Sequence, residues 1–477
     1  MGLIQTIRGW FNMILKRKAK DEFNVEAIST DKMDAFIKKC INIYKGQPEW
    51  LDEKDEIKTI NFAKSICSEV ARLSTLAIGV KIDGSARADY LQTQIDKMYF
   101  NIRHWVEYGC AYGTIILKPN GNNVDLFVPG DFIITDRDGD DITGVVFYFS
   151  QAVQEGKNKA WYTRLEYHRF AEDGAYLIDN VCYKGLSKDD TREKVDISLT
   201  PWKDLLESAT IGGLEKPLYG VLRTPQANNI EIDSPLSVPI FADALEELKD
   251  LDIAYSRNCT EINDSKRTVL MDSDKLFPFG SSGMSEVARL DRGVASGLMK
   301  DKMGLPKYVR MVEGNGEKDF YQEINPTLNT QTRLDGINAL LSQIAYKVGF
   351  SNGYFVFNES TGIQTATGVE AEQQRTVQFI KDVRDKLESC MDGLIYALDA
   401  MATLYNLAPS GAYEVNYDFG DILYSFEADK MTWWQYVQSG KMPFWRYLVK
   451  FEGYDEETAK EIQEETNINT EKGLFDE

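Results

Sequence analysis

Two segments in the second half of the chain repeat their apolar positions at alternating steps of three and four. The first stripe contains Leu334, Ile337, Leu341, Ile344 and Val348. The second runs without interruption through Val377, Ile380, Val383, Leu387, Met391, Leu394, Leu398, Met401 and Tyr405. Such spacing keeps apolar side chains on one face of an α-helix. The pattern predicts helices over 327–349 and 366–407, and the second would be about 60 Å long at ~1.5 Å per residue.

The segment between these helices combines aromatic and polar residues without a helical period. It reads NGYFVFNESTG over 352–362. Because Gly and Asn favour turns, we expect a flexible hairpin between two rigid supports. Three aromatic side chains would lie on this hairpin.

The first half of the chain changes from helical to β periodicity at Gly113. Residues 30–112 have apolar stripes of helical spacing, and residues 184–235 are irregular and interrupted by proline. Between them lie β-rich runs at Thr114–Leu117, Val124–Val128, Thr143–Phe149, Tyr162–His168 and Tyr176–Tyr183. The pattern predicts an α+β fold in which a sheet lies against helices.

A further helix is predicted over 236–262, with acidic residues opposite its apolar face. The apolar positions are Phe241, Leu245, Leu248, Leu251, Tyr255, Cys259 and Ile262. The other side contains Asp243, Glu246, Glu247, Asp250 and Asp252. Such a charged face is usually only solvated, and a wall that lines a negatively charged passage is the less common alternative.

The segment between this helix and the helix at 327–349 forms a compact insert. Residues 266–326 are rich in turn residues and contain β-like pieces at Thr268–Met271 and Tyr308–Val312. Two helices that flank such an insert are expected to run antiparallel and to carry it at their far end. After the long helix we expect a strand at Tyr413–Phe419, short helices over 427–466, and a frayed end from residue 467.

The composition is that of a globular protein with an acidic surface. The chain has 477 residues and a formal net charge of -21. This length predicts two to four domains. Because tight binding of nucleic acid depends on Lys and Arg at phosphates, the charge argues against a tight grip over most of the surface. A surface that repels DNA is useful where DNA must pass without sticking.

Candidate chemistry is sparse. Six cysteines are widely spaced and only two histidines occur, which predicts small buried thiols in a reducing compartment and no zinc site. No Walker A or G-x-S-x-G sequence occurs, and the acidic loop 136–141 lacks the glycine and glutamate positions of a calcium loop. A tight turn between strands is the favoured interpretation of that loop. No catalytic residue, metal ligand or cofactor is predicted, and both histidines are expected to be structural.

Residues 1–20 predict a basic amphipathic helix, with Trp10 and Phe11 on its apolar side and Lys16 near its end. Such a helix can lie on a membrane surface or dock on its own protein or on a neighbouring subunit. We favour docking. No apolar run approaches the ~20 residues that span a bilayer, so we expect no membrane partner.

Seven short strings are spread over nearly the whole chain. They are GSARAD at 84–89, VEYGCA at 106–111, YTRLEYH at 162–168, SPL at 234–236, GINALL at 336–341, TAT at 365–367 and ALDAMATLYNL at 397–407. In this order they resemble the portal proteins of tailed bacteriophages, in particular the branch of the phage SPP1 portal. Gly368 departs from the resemblance, which has an acidic residue where the long helix begins.

The resemblance implies a dodecameric ring at one capsid vertex of the virion, assembled in the host bacterial cytoplasm, through which DNA is packaged and ejected. It implies a wing over 1–235, stem helices over 236–265 and 327–349, a small α/β clip over 266–326, a tunnel loop over 350–365, a long kinked wing helix and a strand over 366–426, and a helical crown over 427–477. The implied partners are double-stranded DNA without sequence preference, the terminase, the head-completion adaptor, and the scaffold and major capsid proteins. The broad apolar surface of the long helix would pack subunit against subunit.

Two sets of side chains are the candidate DNA-facing residues. Those of the tunnel loop and its base are Lys347, Asn352, Tyr354, Phe355, Phe357, Asn358 and Gln364. Those that line the channel on the stem are Glu246, Glu247, Asp250 and Arg333. Lys347 is the expected phosphate contact, and the loop side chains would make weak, sequence-blind contacts. For Phe355 and Phe357, packing between neighbouring loops of the ring is the alternative.

Two other classes of protein remain open. A nucleic-acid-processing enzyme would need a P-loop or a clustered set of metal-binding carboxylates, and neither pattern occurs in the sequence. Another virion adaptor or minor head protein, without a DNA channel, would bind the same vertex. The symmetry of the purified protein distinguishes this adaptor from a portal.

Overall fold

The protein combines helices with mostly antiparallel sheets, so the predicted α+β class is confirmed. The structure, a computed structural model, describes residues 15–51, 57–121, 123–156, 158–188, 190–191, 193–264, 268–272, 309–312, 321–324, 329–356, 366–420 and 426–471. The helices are α1 (15–23), α2 (Asp31–Tyr44), α3 (Phe62–Ser74), α4 (Ala86–Tyr112), α5 (Leu245–Asp264), α6 (Thr330–Val348), α7 (Ala366–Leu404), α8 (Phe426–Gln438), α9 (Phe444–Tyr447) and α10 (Glu456–Glu471).

The strands follow the period change after Gly113. They are β1 (Gly79–Asp83), β2 (Thr114–Asn120), β3 (Asn123–Phe127), β4 (Phe132–Asp138), β5 (Asp141–Glu155), β6 (Asn158–Phe170), β7 (Tyr176–Gly185), β8 (Glu193–Val195), β9 (Ser208–Ile211), β10 (Gly220–Arg223), β11 (Thr268–Asp272), β12 (Val309–Val312), β13 (Tyr321–Ile324) and β14 (Glu414–Asp418). All five β-rich runs predicted after Gly113 are confirmed, as β2, β3, β5, β6 and β7. The strands that the sequence analysis did not predict are β1, β4, β8, β9, β10 and β13. All of them except β4 have only three to five residues, which is too few for a clear periodicity.

Steric requirements at Gly113 explain where the helical half ends. This glycine follows α4 at φ 81°, and a Cβ atom there would lie 2.1 Å from the carbonyl oxygen of Ser237. Only glycine fits such a close approach in this conformation. At the other end of α4, the Ser85 hydroxyl accepts the N–H of Ala88 as an N-cap. The chain therefore turns from α4 directly into β2.

The largest sheet is antiparallel, with the order β4-β5-β6-β7-β8, and β9 pairs with β7. The acidic loop between β4 and β5 is a tight turn, as predicted, because Asp138 pairs with Asp141 and Gly139 has φ 58°. On this sheet lies α1, whose Leu15 and Ala19 are buried among its side chains. For residues 15–23, docking on the chain's own sheet is confirmed.

The helix α7 lies in the middle of the main hydrophobic core, and we call the elements that surround this core, including α3, α4 and β10, the body. Its apolar residues share one core with α3, α4 and β10, and they are Phe379, Ile380, Val383, Leu387, Cys390, Met391, Leu394, Ile395 and Leu398. A Cβ atom on Gly220 of β10 would lie 2.2 Å from the carbonyl oxygen of Cys390. The prediction that this apolar surface packs subunit against subunit is wrong for these residues, because elements of the same chain cover it on more than one side.

Two long-range contacts close the body. The first is antiparallel pairing of β1 with β14, from Gly79 with Asp418 to Asp83 with Glu414. The second is the buried Arg87, which donates to the carbonyl oxygens of Pro409, Asp399 and Ala408 at 3.0, 2.7 and 2.8 Å. It also donates to the Asp399 carboxylate at 2.8 Å. One guanidinium thus ties the start of α4 to the turn after α7.

The inserted segment and the C-terminal segment follow the predicted pattern in their described parts. The strands β11, β12 and β13 form a small sheet in the order β12-β11-β13, with β11 parallel to β12. This confirms the two predicted β pieces. The short helices α8, α9 and α10 confirm the helical C-terminal segment. The prediction of a frayed end is wrong for residues 467–471, since α10 continues to Glu471.

Candidate nucleic-acid interface

Helices α5 and α6 lie side by side and run antiparallel. Lys347 Nζ lies 2.6 Å from Glu247 Oε1, and Arg333 forms an ion pair with Glu261. The first turn of α5 therefore meets the last turn of α6, while the opposite ends meet each other. The predicted antiparallel pair is confirmed, and β11, β12 and β13 come between its helices in sequence.

Burial along this pair decreases away from the body. The buried residues are Leu248, Leu251, Ile337, Leu341 and Ile344, which all belong to the main core. Tyr255 and Ile262 of α5 are 39% and 49% exposed. Their predicted place on a buried apolar face is wrong, because the main core ends before these turns of the helix.

The acidic side of α5 divides into exposed and buried carboxylates. Glu246 and Asp250, two of the predicted channel-lining residues, are exposed. Asp252 is 3% exposed, which overturns its predicted place on the solvated side. Its two carboxylate oxygens accept the Trp50 indole N–H at 2.9 Å and the Ile60 backbone N–H at 3.0 Å. Asp252 therefore joins α5 to the segment between α2 and α3, and its carboxylate contributes nothing to an acidic surface.

The outer face of α6 has few charges. Its exposed residues from the second turn onward are Asp335, Gly336, Ala339, Gln343, Tyr346 and Lys347. The two predicted cations, Arg333 and Lys347, are each paired with a glutamate of α5. The helix pair therefore exposes acidic residues, and two of its cations are neutralised by glutamates of the same pair.

The first residues of the turn after α6 are buried. Gly349 has φ 115°, and a Cβ atom there would lie 2.8 Å from the ring of Phe379. The next residue, Phe350, is fully buried. Ser351 and Thr376 are also buried, and they exchange hydrogen bonds, with the Ser351 N–H donating to Thr376 Oγ1 at 2.8 Å. The chain thus leaves α6 in a fixed direction.

Tyr354 and Phe355 are held against the body. The Phe355 ring packs edge-on against Phe62 of α3, with centroids 5.2 Å apart, and the Tyr354 ring packs on Phe350 at 4.7 Å. The Tyr354 hydroxyl donates to Glu69 Oε1 at 2.5 Å. The expectation of side chains carried on a flexible hairpin is therefore wrong for these two residues, because their half-buried rings pack against the chain's own core.

Of the remaining predicted loop residues, the structure describes only Asn352. Asn352 is exposed, as expected for a loop side chain. Phe357, Asn358 and Gln364 lie outside the described residues. Their role as DNA-facing side chains stays a prediction.

The Glu69 carboxylate connects α3 to the start of the loop. Arg72 donates two hydrogen bonds to it, at 2.8 and 2.7 Å. These bonds lower the pKa of Glu69, burial opposes the shift, and the Tyr354 hydroxyl adds to it. The phenol responds in the opposite sense, since burial and the nearby carboxylate raise the pKa of Tyr354. Glu69 is therefore an ionised anchor for a neutral Tyr354.

Sequence reasoning missed two neighbouring residues, Tyr346 and Arg375. Tyr346 is 59% exposed on α6, and Arg375 is exposed on α7. The guanidinium lies 3.9 Å from the centroid of the Tyr346 ring and donates to the Tyr346 carbonyl oxygen at 2.7 Å. The available signal was the position of Tyr346, an aromatic residue off the apolar stripe of its helix. Nothing in the sequence indicated its partner, which comes from another helix.

Most of the other candidate chemistry is buried, although His104 is exposed on α4. His168 contacts Glu166 at 2.6 Å and the Tyr176 hydroxyl at 2.9 Å inside the large sheet, and burial lowers its pKa. Five cysteines are buried and Cys259 is half-buried. Burial raises the pKa of the Cys67 thiol. In the part of the chain that the structure describes, no group of three His, Cys, Asp or Glu side chains could hold a metal ion.

Within the described ranges, no helix is both long enough and apolar enough to cross a membrane. The chain matches no protein-family model and no curated protein. The arguments about function therefore rest on the residues themselves.

Proposed function

We propose that the chain is a portal protein, whose subunits form a dodecameric ring at one capsid vertex and enclose a channel for packaging and ejection of double-stranded DNA. The proposal rests on the order of the structural elements along the chain. The antiparallel pair of α5 and α6 has a small three-stranded sheet between its helices, and an anchored turn then leads into the 39-residue α7. In the proposed ring the pair is the stem, the insert 266–326 is the clip, and residues 350–365 form the loop that faces DNA.

The charge distribution supports a channel more than a clamp. A channel must hold a polyanion centrally without trapping it, and each free Lys or Arg at its wall would add affinity for phosphate. On the helix pair, Lys347 and Arg333 are paired with glutamates, while the exposed residues include Glu246, Asp250 and Asp335. Two further cations of α5, the half-buried Lys249 and the exposed Arg257, form no ion pair with a described residue. Such a wall lowers friction because its exposed carboxylates outnumber its unpaired cations.

Exposed apolar side chains support assembly with neighbours. Phe100, Leu186 and Ile232 are 85%, 81% and 87% exposed. With the apolar face of α7 covered by its own chain, contacts between subunits have to use other surfaces. Residues of this kind, together with the exposed outer turns of α5, are the surfaces that we expect neighbours to cover. Heterologous contacts of this type close into a ring when the rotation between subunits allows it.

Electron microscopy of the purified full-length chain tests the proposal. We expect class averages with a central hole when the protein is imaged over a series of protein and salt concentrations. Compact single particles under every condition would overturn the ring. A virion adaptor without a channel is the alternative that such a result would favour.

A further inference from the structure

Two cations beside the end of α6 differ in their partners. Lys347 points its charge at Glu247, with 2.6 Å between Nζ and Oε1, and the carboxylate side chain is only 18% exposed. Arg375 has no such partner, since within the described residues it forms no ion pair with a carboxylate. The lysine charge is therefore neutralised locally, while no described carboxylate neutralises the exposed arginine.

The Arg375 guanidinium is also held in place. Its central carbon lies over the Tyr346 ring, 3.9 Å from the centroid, and Nη2 donates a hydrogen bond to the Tyr346 carbonyl oxygen. A stacked guanidinium loses less conformational freedom when it binds a phosphate, and it keeps the remaining N–H donors in a fork that matches phosphate oxygens. The exposed Tyr346 adds an aromatic surface next to this fork.

We propose that Arg375, stacked on Tyr346, is a contact site for the phosphodiester backbone of double-stranded nucleic acid, and that Glu247 keeps Lys347 from acting as a second one. The choice of ligand rests on the proposed channel function. The site lies on two helices beside the loop, on residues that the sequence analysis did not select. Glu247 would thereby set how strongly the wall holds DNA, because its loss converts a neutral pair into a free cation.

Salt-dependent binding of a fluorescently labelled 30-bp duplex to the full-length chain tests the site. Log affinity falls with log salt in proportion to the number of phosphate contacts, with a slope of about 0.9 per contact. We expect Arg375→Gln to reduce this slope by about 0.9 for each Arg375 side chain that contacts a phosphate. We expect Lys347→Gln to leave the slope unchanged, and Glu247→Gln to make it steeper.

A matched control removes the same charge elsewhere. Arg137 is exposed near the end of β4, so Arg137→Gln changes the net charge equally and leaves the site intact. Arg375→Lys keeps the charge but loses the fork, and an intermediate affinity is expected. Circular dichroism of each variant checks that the fold is kept, which is expected because all the substituted arginines are exposed.

The outcomes separate this inference from the proposed function. Equal slopes for Arg375→Gln and Arg137→Gln, or no duplex binding by the unmodified chain at low salt, would overturn the phosphate site. Rings seen by microscopy would leave the portal proposal standing in that case. If no rings form but Arg375→Gln selectively lowers the slope, the channel fails and the nucleic-acid site remains.

Discussion

The body around α4 and α7 and the paired helices α5 and α6 use different means of stabilisation. In the body, buried guanidiniums join segments distant in sequence: Arg87 binds the turn after α7, and Arg384 donates to the carbonyl oxygens of Leu73 and Gly420 at 2.9 Å each. The outer turns of the helix pair instead have exposed apolar residues and the surface ion pair of Arg333 with Glu261. The stability of a single chain therefore lies mainly in the body, and the outer turns of the helix pair contribute less to it.

Introducing a charge into the body should produce the largest loss. Leu387 on α7 is 1% exposed, so Leu387→Asp buries an unpaired carboxylate and removes apolar packing. We expect the free energy of unfolding to fall by more than about 4 kcal/mol, with insoluble or unfolded protein as the visible result. Urea denaturation measures it, and Lys386→Asp on the exposed face is the control. A soluble, folded Leu387→Asp chain would contradict the buried position.

Removing the Arg87 guanidinium should have the next largest effect. Arg87→Met leaves the carbonyl oxygens of Asp399, Ala408 and Pro409 without this donor in a buried place. We expect a loss of about 3 kcal/mol in the free energy of unfolding, because buried groups left unpaired are costly. Arg87→Lys should recover only part of it, since an ammonium cannot reproduce the fork. Full stability of Arg87→Met in urea titrations would show that the contacts are dispensable.

The Glu69 anchor should make stability depend on pH. Its pKa is lowered in the folded chain, so its contribution is fully present above the unfolded value of about 4.5 and is lost as pH falls through the lower folded value. We expect the stability difference between the unmodified chain and Glu69→Gln to shrink as pH falls below about 4.5. Urea titrations at pH 7 and pH 3 measure it. Tyr354→Phe removes only the phenolic donor and should retain most of this pH dependence, and a pH-independent difference would argue against an ionised anchor.

The smallest effect on stability is expected at the helix pair. Glu247→Gln breaks the partly buried ion pair with Lys347, whose lysine side chain keeps contact with solvent. Because solvent screens such a pair and the new amide can still accept a hydrogen bond, we expect a loss of only about 1 kcal/mol. Thermal unfolding should therefore change little, even though duplex binding is expected to strengthen. A large loss of stability would mean that the helix pair depends on this ion pair as the body depends on Arg87, and the contrast between the two regions would disappear.

Local patterns in the sequence predicted most elements of this fold. The helices α5, α6 and α7 follow from their apolar spacing, and the change to strands after Gly113 follows from a change of period. The pattern could not tell what covers each face. Asp252 looked solvated because it lies among acids, but Trp50 and Ile60, about 200 residues earlier, bury it. The pairing of β1 with β14 has no local signal at all.

The candidate site was predictable to a smaller extent. The positions of Glu246, Asp250 and Asn352 on exposed surface agree with the sequence analysis. Tyr354 and Phe355 were taken for loop side chains because aromatic residues among Asn and Gly have no helical period, whereas Phe62 and Glu69 of another helix decide their burial. The sequence shows Lys347 as a cation, but in the structure Glu247 neutralises its charge. Such partners follow from tertiary structure alone.

The Arg87 contact also has a consequence for biosynthesis. Arg87 and Pro409 are 322 residues apart along the chain. At a translation rate of ~5–20 residues per second, a ribosome needs about 15 to 60 s to supply the acceptor after the donor. During that interval the Arg87 guanidinium of the nascent chain stays hydrated, and β1 has not yet paired with β14. A polypeptide that stops before Pro409 cannot form this contact, so closure of the body separates chains that extend past this residue from shorter fragments.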